Sequence, residues 1–159
     1  MHKTNNRPHL TLPACMVMAV ALVLASCSSG ARAPGSQTSV TVATRHTSVG
    51  TVLTDGAGHT LYAFTLDTPH KSNCPAGACT ALWPPLETSG KPRLAKGLSP
   101  SIVGKIRRPG GHYQLTYGGH PLYTYTVDSS PGETHGEALE QFGGIWYAVS
   151  PGGREIKHG

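Results

Sequence analysis

The chain is poor in charge, aromatics, cysteine and long apolar runs. Charged residues make up 13% and aromatics 6% of its 159 residues, and there are four cysteines. So little charge argues against long solvated helices, and 20 Gly and 13 Pro favour short strands joined by turns. The longest apolar run, Ala14–Ala25, covers twelve residues. As a helix it would reach about 18 Å, short of the roughly 30 Å hydrocarbon core. The sequence has no Gly-x-Ser-x-Gly elbow, no Ser-x-x-Lys, no His-Glu-x-x-His and no phosphate-binding loop, so the usual hydrolase and nucleotide chemistries lack their residues. Beyond the first 26 residues there are 11 basic against 8 acidic residues, a net +3. That balance is too mild for a nucleic-acid partner, and no basic, aromatic stripe accompanies it.

What is present is a repeat. Gly58-His59-Thr60-Leu61-Tyr62-Ala63-Phe64-Thr65-Leu66-Asp67 returns 61 residues later as Gly119-His120-Pro121-Leu122-Tyr123-Thr124-Tyr125-Thr126-Val127-Asp128. Agreement in one register over ten positions marks a duplicated unit. The reading is one mainly β domain, residues 40–150, in which two pseudo-symmetric repeats of about 60 residues form a small barrel or sandwich. Repeat 1 covers about 49–88, a linker 89–110, repeat 2 about 111–150, and a tail 151–159. Alternation predicts strands at Val40–Thr44, Val49–Leu53, Thr60–Leu66, Tyr113–Tyr117, Pro121–Val127 and Ile145–Val149. Within Thr60–Leu66, period two sets Tyr62, Phe64 and Leu66 on one face and Leu61, Ala63 and Thr65 on the other. Tyr62, Phe64, Trp83, Tyr123, Tyr125 and Trp146 are expected to form an aromatic core, each Trp covering the aromatic face of its own or the other repeat. The competing reading of Tyr62 and Phe64 is a platform that stacks a flat ligand. Asp67 and Asp128 each precede a Pro-containing turn and are read as Asx-turn carboxylates bonded to their own backbone, with a ligand or metal carboxylate as the other reading.

The N-terminus reads as an address. Lys3 and Arg7 precede the apolar run, which ends in Leu24-Ala25-Ser26-Cys27. This is the pattern of a signal peptide, residues 1–26, closed by a bacterial lipobox, with Cys27 diacylated after cleavage. Two acyl chains anchor stably where one is marginal, at about 0.8 kcal/mol per buried CH₂. Residues 27–39 then form the lipidated cysteine and a tether rich in Ser, Gly and Ala. The expected location is the extracytoplasmic face of a bacterial cell membrane.

Cys74 and Cys79 are the two thiols left. Outside the cytoplasm they are expected to pair as a structural disulfide, with a redox-active or metal-binding pair as the other reading. One helical turn is expected at Ala78–Trp83, stopped by Pro84. Lys91–Arg108 holds six Lys or Arg, and no acid occurs between Glu87 and Asp128. That run is read either as a solvated connection or as a surface for an anionic envelope polymer. Of the seven histidines beyond Cys27, His59 and His120 hold equivalent repeat positions; converging at a pseudo-twofold axis they would bind copper or haem. His135, between Glu133 and Glu137, is a weaker candidate.

The paired Tyr62-x-Phe64-x-x-Asp67 and Tyr123-x-Tyr125-x-x-Asp128, with Lys71-Ser72-Asn73-Cys74, Cys79 and Trp83-Pro84-Pro85-Leu86, resemble a bacterial family called the secreted repeat of unknown function, predicted lipoproteins with a Tyr-x-(Phe/Trp/Tyr)-x-x-Asp motif. The resemblance spans roughly Val49 to Val149. It implies an exported, lipid-anchored protein and supplies no activity. The expected function is a non-catalytic binding or structural module of the envelope, which would act on a polymer or an envelope protein. The alternative is a metal- or haem-binding redox lipoprotein.

Overall fold

The structure is a computed structural model and describes residues 39–157. The leader, Cys27 and most of the tether lie outside the described residues. Among the described residues, no helix is long and apolar enough to cross a membrane.

The domain is mainly β. Its strands are β1 (Thr41–Thr47), β2 (Gly50–Asp55), β3 (Tyr62–Phe64), β4 (Arg93–Leu94), β5 (Val103–Arg107), β6 (Tyr113–Tyr117), β7 (His120–Pro121), β8 (Leu139–Gln141) and β9 (Gly144–Ala148), with one short helix, α1 (Ala78–Leu82). They form three three-stranded sheets, ordered β2-β1-β4, β3-β9-β8 and β5-β6-β7. The sheets do not close into a barrel, and the arrangement is sandwich-like. Residues 89–110, read from sequence as a linker, carry β4, a 3₁₀ turn at Pro100–Ile102, and β5. The β4 strand pairs in parallel with β1, and β5 pairs with β6, so this segment is part of the sheets. The tail is tied down as well: Ile156 donates its N–H to Ala148 at 2.9 Å.

The repeats interlock. Leu61 closes on Leu53 by its backbone N–H at 2.9 Å, and Leu122 does the same on Leu115 at 3.0 Å. Each of these turns is then covered by the other repeat. Val149 exchanges backbone bonds with Leu53 and Leu61, while Leu86 exchanges them with Leu115 and Leu122. Likewise β3 of repeat 1 pairs with β9 of repeat 2, Phe64 opposite Trp146. The axis of this exchange is the pair Tyr62 and Tyr123, whose N–H and C=O groups bond reciprocally at 2.8 and 3.0 Å. Buried N–H and C=O groups need partners, and here much of each repeat's supply comes from the other copy.

Two faces of β3 serve two cores. Leu61 and Ala63 join Val42, Leu53, Leu115, Leu122 and Val149 in an aliphatic cluster. Tyr62 and Phe64 join Trp83, Tyr123, Tyr125 and Trp146 in an aromatic one. The expected alternation therefore holds for Leu61–Phe64. It fails at Leu66, which is 47% exposed. The chain turns after Phe64, closed by the Asp67 N–H on Phe64 O at 2.9 Å, so the strand predicted over Thr60–Leu66 is three residues long. The second copy turns at the equivalent place, Asp128 N–H on Tyr125 O at 3.1 Å, which leaves Val127 exposed and ends the predicted Pro121–Val127 strand early.

Cys74 and Cys79 form a disulfide, with Cα atoms 5.6 Å apart. It staples the loop that leads into α1 and buries both sulfurs against the aromatic cluster. In the chain-entropy model so short a loop contributes about 2 kcal/mol.

Candidate functional site

The repeat motif builds a crossed pair of hydrogen bonds. The Tyr62 hydroxyl of repeat 1 donates to Asp128 Oδ2 of repeat 2 at 2.5 Å. The Tyr123 hydroxyl of repeat 2 donates to Asp67 Oδ2 of repeat 1 at 2.6 Å. Each aspartate also holds the loop that follows it: Asp67 Oδ1 accepts the Asn73 N–H at 2.6 Å, and Asp128 Oδ1 accepts the His135 N–H at 2.9 Å. The expected Asx-turn does not form at either carboxylate: Pro69 has no N–H two residues after Asp67, the Ser130 N–H goes to Glu133, and each aspartate reaches six or seven residues on instead. The other oxygen of each points across the pseudo-twofold axis, toward a tyrosine of the other copy.

The aromatic residue at the third motif position works the same way. Phe64 stacks on Trp146 at 4.3 Å between ring centroids, Trp146 on Trp83 at 3.9 Å, and Trp83 on Tyr125 at 4.1 Å. The interplanar angles are 13°, 4° and 19°, so four rings form one continuous stack. Tyr62 meets Trp83 edge-on at 5.4 Å, and Tyr123 meets Trp146 edge-on at 5.0 Å. Each Trp thus covers both repeats: its own tyrosine by an edge and the other copy's third-position ring by a face. Offset-stacked and edge-to-face pairs add about 0.5–1.5 kcal/mol each beyond area burial. Gly136 is small for a reason: a Cβ there would lie 2.7 Å from Trp83 Cη2 and 2.9 Å from the Tyr62 ring.

Burial shifts these groups. Desolvation, then the hydrogen bond and charge of Asp128, pushes the Tyr62 phenol far above its ordinary range. Desolvation and then the charge of Asp67 do the same to Tyr123. The Asp67 carboxyl is also raised, because its burial outweighs the hydrogen bonds from Tyr123 and Asn73 and the charges of Arg108 and His120.

The histidines fall in separate settings. His59 turns its Nδ1 toward Asp55 Oδ2 at 3.2 Å. His120, in β7, is near enough to Asp67 to act on its charge. His135 stands over Asp128, Nδ1 to Oδ1 3.2 Å, with Glu133 Oε2 at 3.9 Å. Among the described residues, Asp128, Glu133 and His135 are the group of ligand-type side chains that converges, within 4.8 Å. Their atoms are already committed: Asp128 Oδ1 to His135 and Glu133 Oε2 to the Ser130 N–H at 2.9 Å. We read the trio as a hydrogen-bonded cap that closes Asp128 from water.

A basic groove runs along Glu87–Thr88. One cavity of about 510 Å³ is lined by His70, Lys71, Arg107 and Arg108 around the disulfide loop, with Glu87 at its edge. A second, about 630 Å³, takes in Glu87, Thr88, His112 and Tyr113. A third, about 480 Å³, takes in Thr88, Lys91, Lys105 and Leu115. The first two share Glu87 and the last two share Thr88. Together their linings hold five Lys or Arg and one carboxylate. Arg108 is positioned rather than free: its guanidinium donates to Ser72 Oγ, to Gln114 Oε1 at 3.0 Å and to the Cys74 carbonyl at 3.1 Å. Lys105 lies over the Tyr113 ring at 4.2 Å, a cation held on an aromatic face. Sequence reasoning noticed the acid-free run but missed Lys71 and His70, which reach the groove only because the stapled loop folds back onto β5.

A family model described as a secreted repeat of unknown function matches the chain twice, over residues 43–87 and 104–150. The chain belongs to this family. Nothing among curated proteins or solved structures matches it. Membership of a secreted-repeat family places the protein outside the cytoplasm. It also gives the crossed geometry a meaning: in this chain two copies of the secreted repeat make one aromatic core, and neither copy contains a complete one. The second matched segment starts at Gly104, inside β5, so it includes most of the strand that ends at Arg107, and Arg108 directly after it.

Proposed function

We propose that this protein is a non-catalytic binding module of the bacterial envelope, anchored through a diacylated Cys27, which holds an anionic envelope polymer along the Glu87–Thr88 groove. The observation that carries the reading is the groove itself: five cations, one carboxylate, and one guanidinium locked in place by three partners. A polymer of phosphodiesters or uronates presents repeated anions that such a row matches, and fixed Arg geometry favours bidentate contact. The tether between Cys27 and β1 would let the domain reach such a polymer while the acyl chains remain in the membrane.

Two measurements test this. A membrane-fractionation experiment on the full chain is expected to place the wild type with membranes and Cys27→Ala in the soluble extracytoplasmic fraction. Membrane retention of Cys27→Ala rejects the anchor. Binding to poly(glycerol phosphate) is expected to weaken with added salt and to drop roughly 100-fold at low salt in the triple variant Lys71→Ala/Lys105→Ala/Arg107→Ala, from about 1 kcal/mol per charge near an anionic surface. These three side chains are exposed, so the fold should be unchanged. Equal binding by wild type and triple variant, or equal binding of a neutral glucan, rejects the groove as the site.

A further inference from the structure

The Tyr62–Asp128 bond lies against the four-ring stack, and this juxtaposition carries a second role, independent of the groove. We propose that Tyr62 is a proton-coupled one-electron donor, wired through Trp83 to the stack and deprotonated by Asp128 when an oxidant of the radical or high-valent-metal class reaches the protein.

The chemistry follows from burial. Tyr62 is 0% exposed, and its phenol resists ionisation. An electron cannot leave a neutral buried phenol without its proton leaving too, because a phenol cation in that setting is a very strong acid with no solvation. The acceptor is in place: Asp128 Oδ2 is 2.5 Å from the hydroxyl, and the Gly136 N–H donates to the Tyr62 hydroxyl oxygen at 3.3 Å. In the step, the O–H bond breaks and the proton passes to Asp128 Oδ2. The electron leaves through the ring, the oxidant is reduced by one electron, and Tyr62 becomes a neutral phenoxyl radical. The Gly136 N–H then remains on the phenoxyl oxygen.

The surroundings supply both outlets. For the electron, the Tyr62 ring contacts Trp83 at 5.4 Å and Tyr125 at 6.4 Å, and Tyr125 ends the stack at 8% exposure, against 0–1% for the other three rings. For the proton, His135 stands at the other oxygen of Asp128 with a side chain 57% exposed. Glu133 flanks that ring at 3.9 Å. Repeat 2 offers an equally buried phenol whose acceptor is shared, since the Tyr123 hydroxyl lies 2.6 Å from both Asp67 Oδ2 and Ser72 Oγ.

The test uses the full chain with chelator present and photogenerated tris(bipyridyl)ruthenium(III) as outer-sphere oxidant, read by transient absorption and electron paramagnetic resonance. A tyrosyl radical is expected, formed at least twofold more slowly in D₂O. Tyr62→Phe, which keeps the ring, should remove most of the slowly decaying signal, and Asp128→Asn should slow its formation about tenfold or more. Tyr147→Phe, at a half-buried tyrosine outside the stack, should leave it unchanged. The proposal is overturned if the long-lived radical persists in Tyr62→Phe, is lost in Tyr147→Phe, or forms without a solvent isotope effect. The isotope measurement needs no variant, so absence of an effect overturns the proposal even if Asp128→Asn does not fold, while Tyr62→Phe assigns the radical to its residue.

Discussion

Trp83→Ala is expected to lower the unfolding free energy by about 3–5 kcal/mol, the range for truncating a fully buried large aromatic. Trp83 is 0% exposed and sits in the middle of the stack, touching Trp146, Tyr125 and Tyr62. Its removal opens a void on the pseudo-twofold axis, where both repeats lose a partner together. Collapse to fill that void is hindered, because the neighbouring rings are held by backbone pairing and by the crossed tyrosine bonds. Against a typical total of about 5–15 kcal/mol, such a loss leaves a marginal fold. Leu66→Ala is the informative control. Period-two reasoning puts Leu66 on the same face as Tyr62 and Phe64, which would make it a core residue. The turn after Phe64 leaves it 47% exposed instead, so its truncation should cost about 0.5 kcal/mol or less. Urea unfolding of both variants decides the point, and similar losses for the two would mean that the stack is not the core.

The second large effect is alkaline. Tyr62 and Tyr123 keep their protons in the fold far above the ordinary phenol range, while in the unfolded chain each ionises near pH 10. Above that pH the folded state binds more protons than the unfolded one, so stability falls as pH rises. The contribution is fully present below about pH 10 and is lost progressively toward the folded-state values. Each phenol removes about 1.4 kcal/mol per pH unit in that window, so the pair removes roughly 2.7 kcal/mol per unit. Unfolding midpoints measured between pH 9 and pH 12 should therefore drop steeply. In Tyr62→Phe the slope should be about half as steep, although the variant is less stable at neutral pH because Asp128 loses its donor. Equal slopes in wild type and variant would show that Tyr62 is accessible to hydroxide and that the crossed bond does not seal it.

Much of this protein was legible in its residues. The duplication, the β character, the two faces of Leu61–Phe64, the one-turn helix before Pro84, the disulfide and the six aromatic core members all follow from local signals. These are period-two alternation, turn residues, and two thiols within one loop. Such signals act over a few residues, where backbone geometry dictates which side chain points where. The ends of the motif strands were misjudged because Thr65-Leu66 and Thr126-Val127 have the composition of a strand and the conformation of a turn. That turn is set by what Asp67 and Asp128 must reach.

What only the tertiary structure decided is who meets whom across the duplication. Tyr62 has equivalent local claims on Asp67 and Asp128, and nothing within ten residues distinguishes them. The choice falls on the copy 66 residues away because the strands of the two repeats exchange partners about the Tyr62–Tyr123 axis, which turns each carboxylate toward the other repeat's phenol. The groove has the same origin. Its charges come from the stapled loop, from β5 and from the residues flanking β4 and β5, segments that share no sequence pattern and meet because the sheets pack. Short-range chemistry thus determined the parts of this secreted repeat. Its pairing energy, spread over two copies, determined the site.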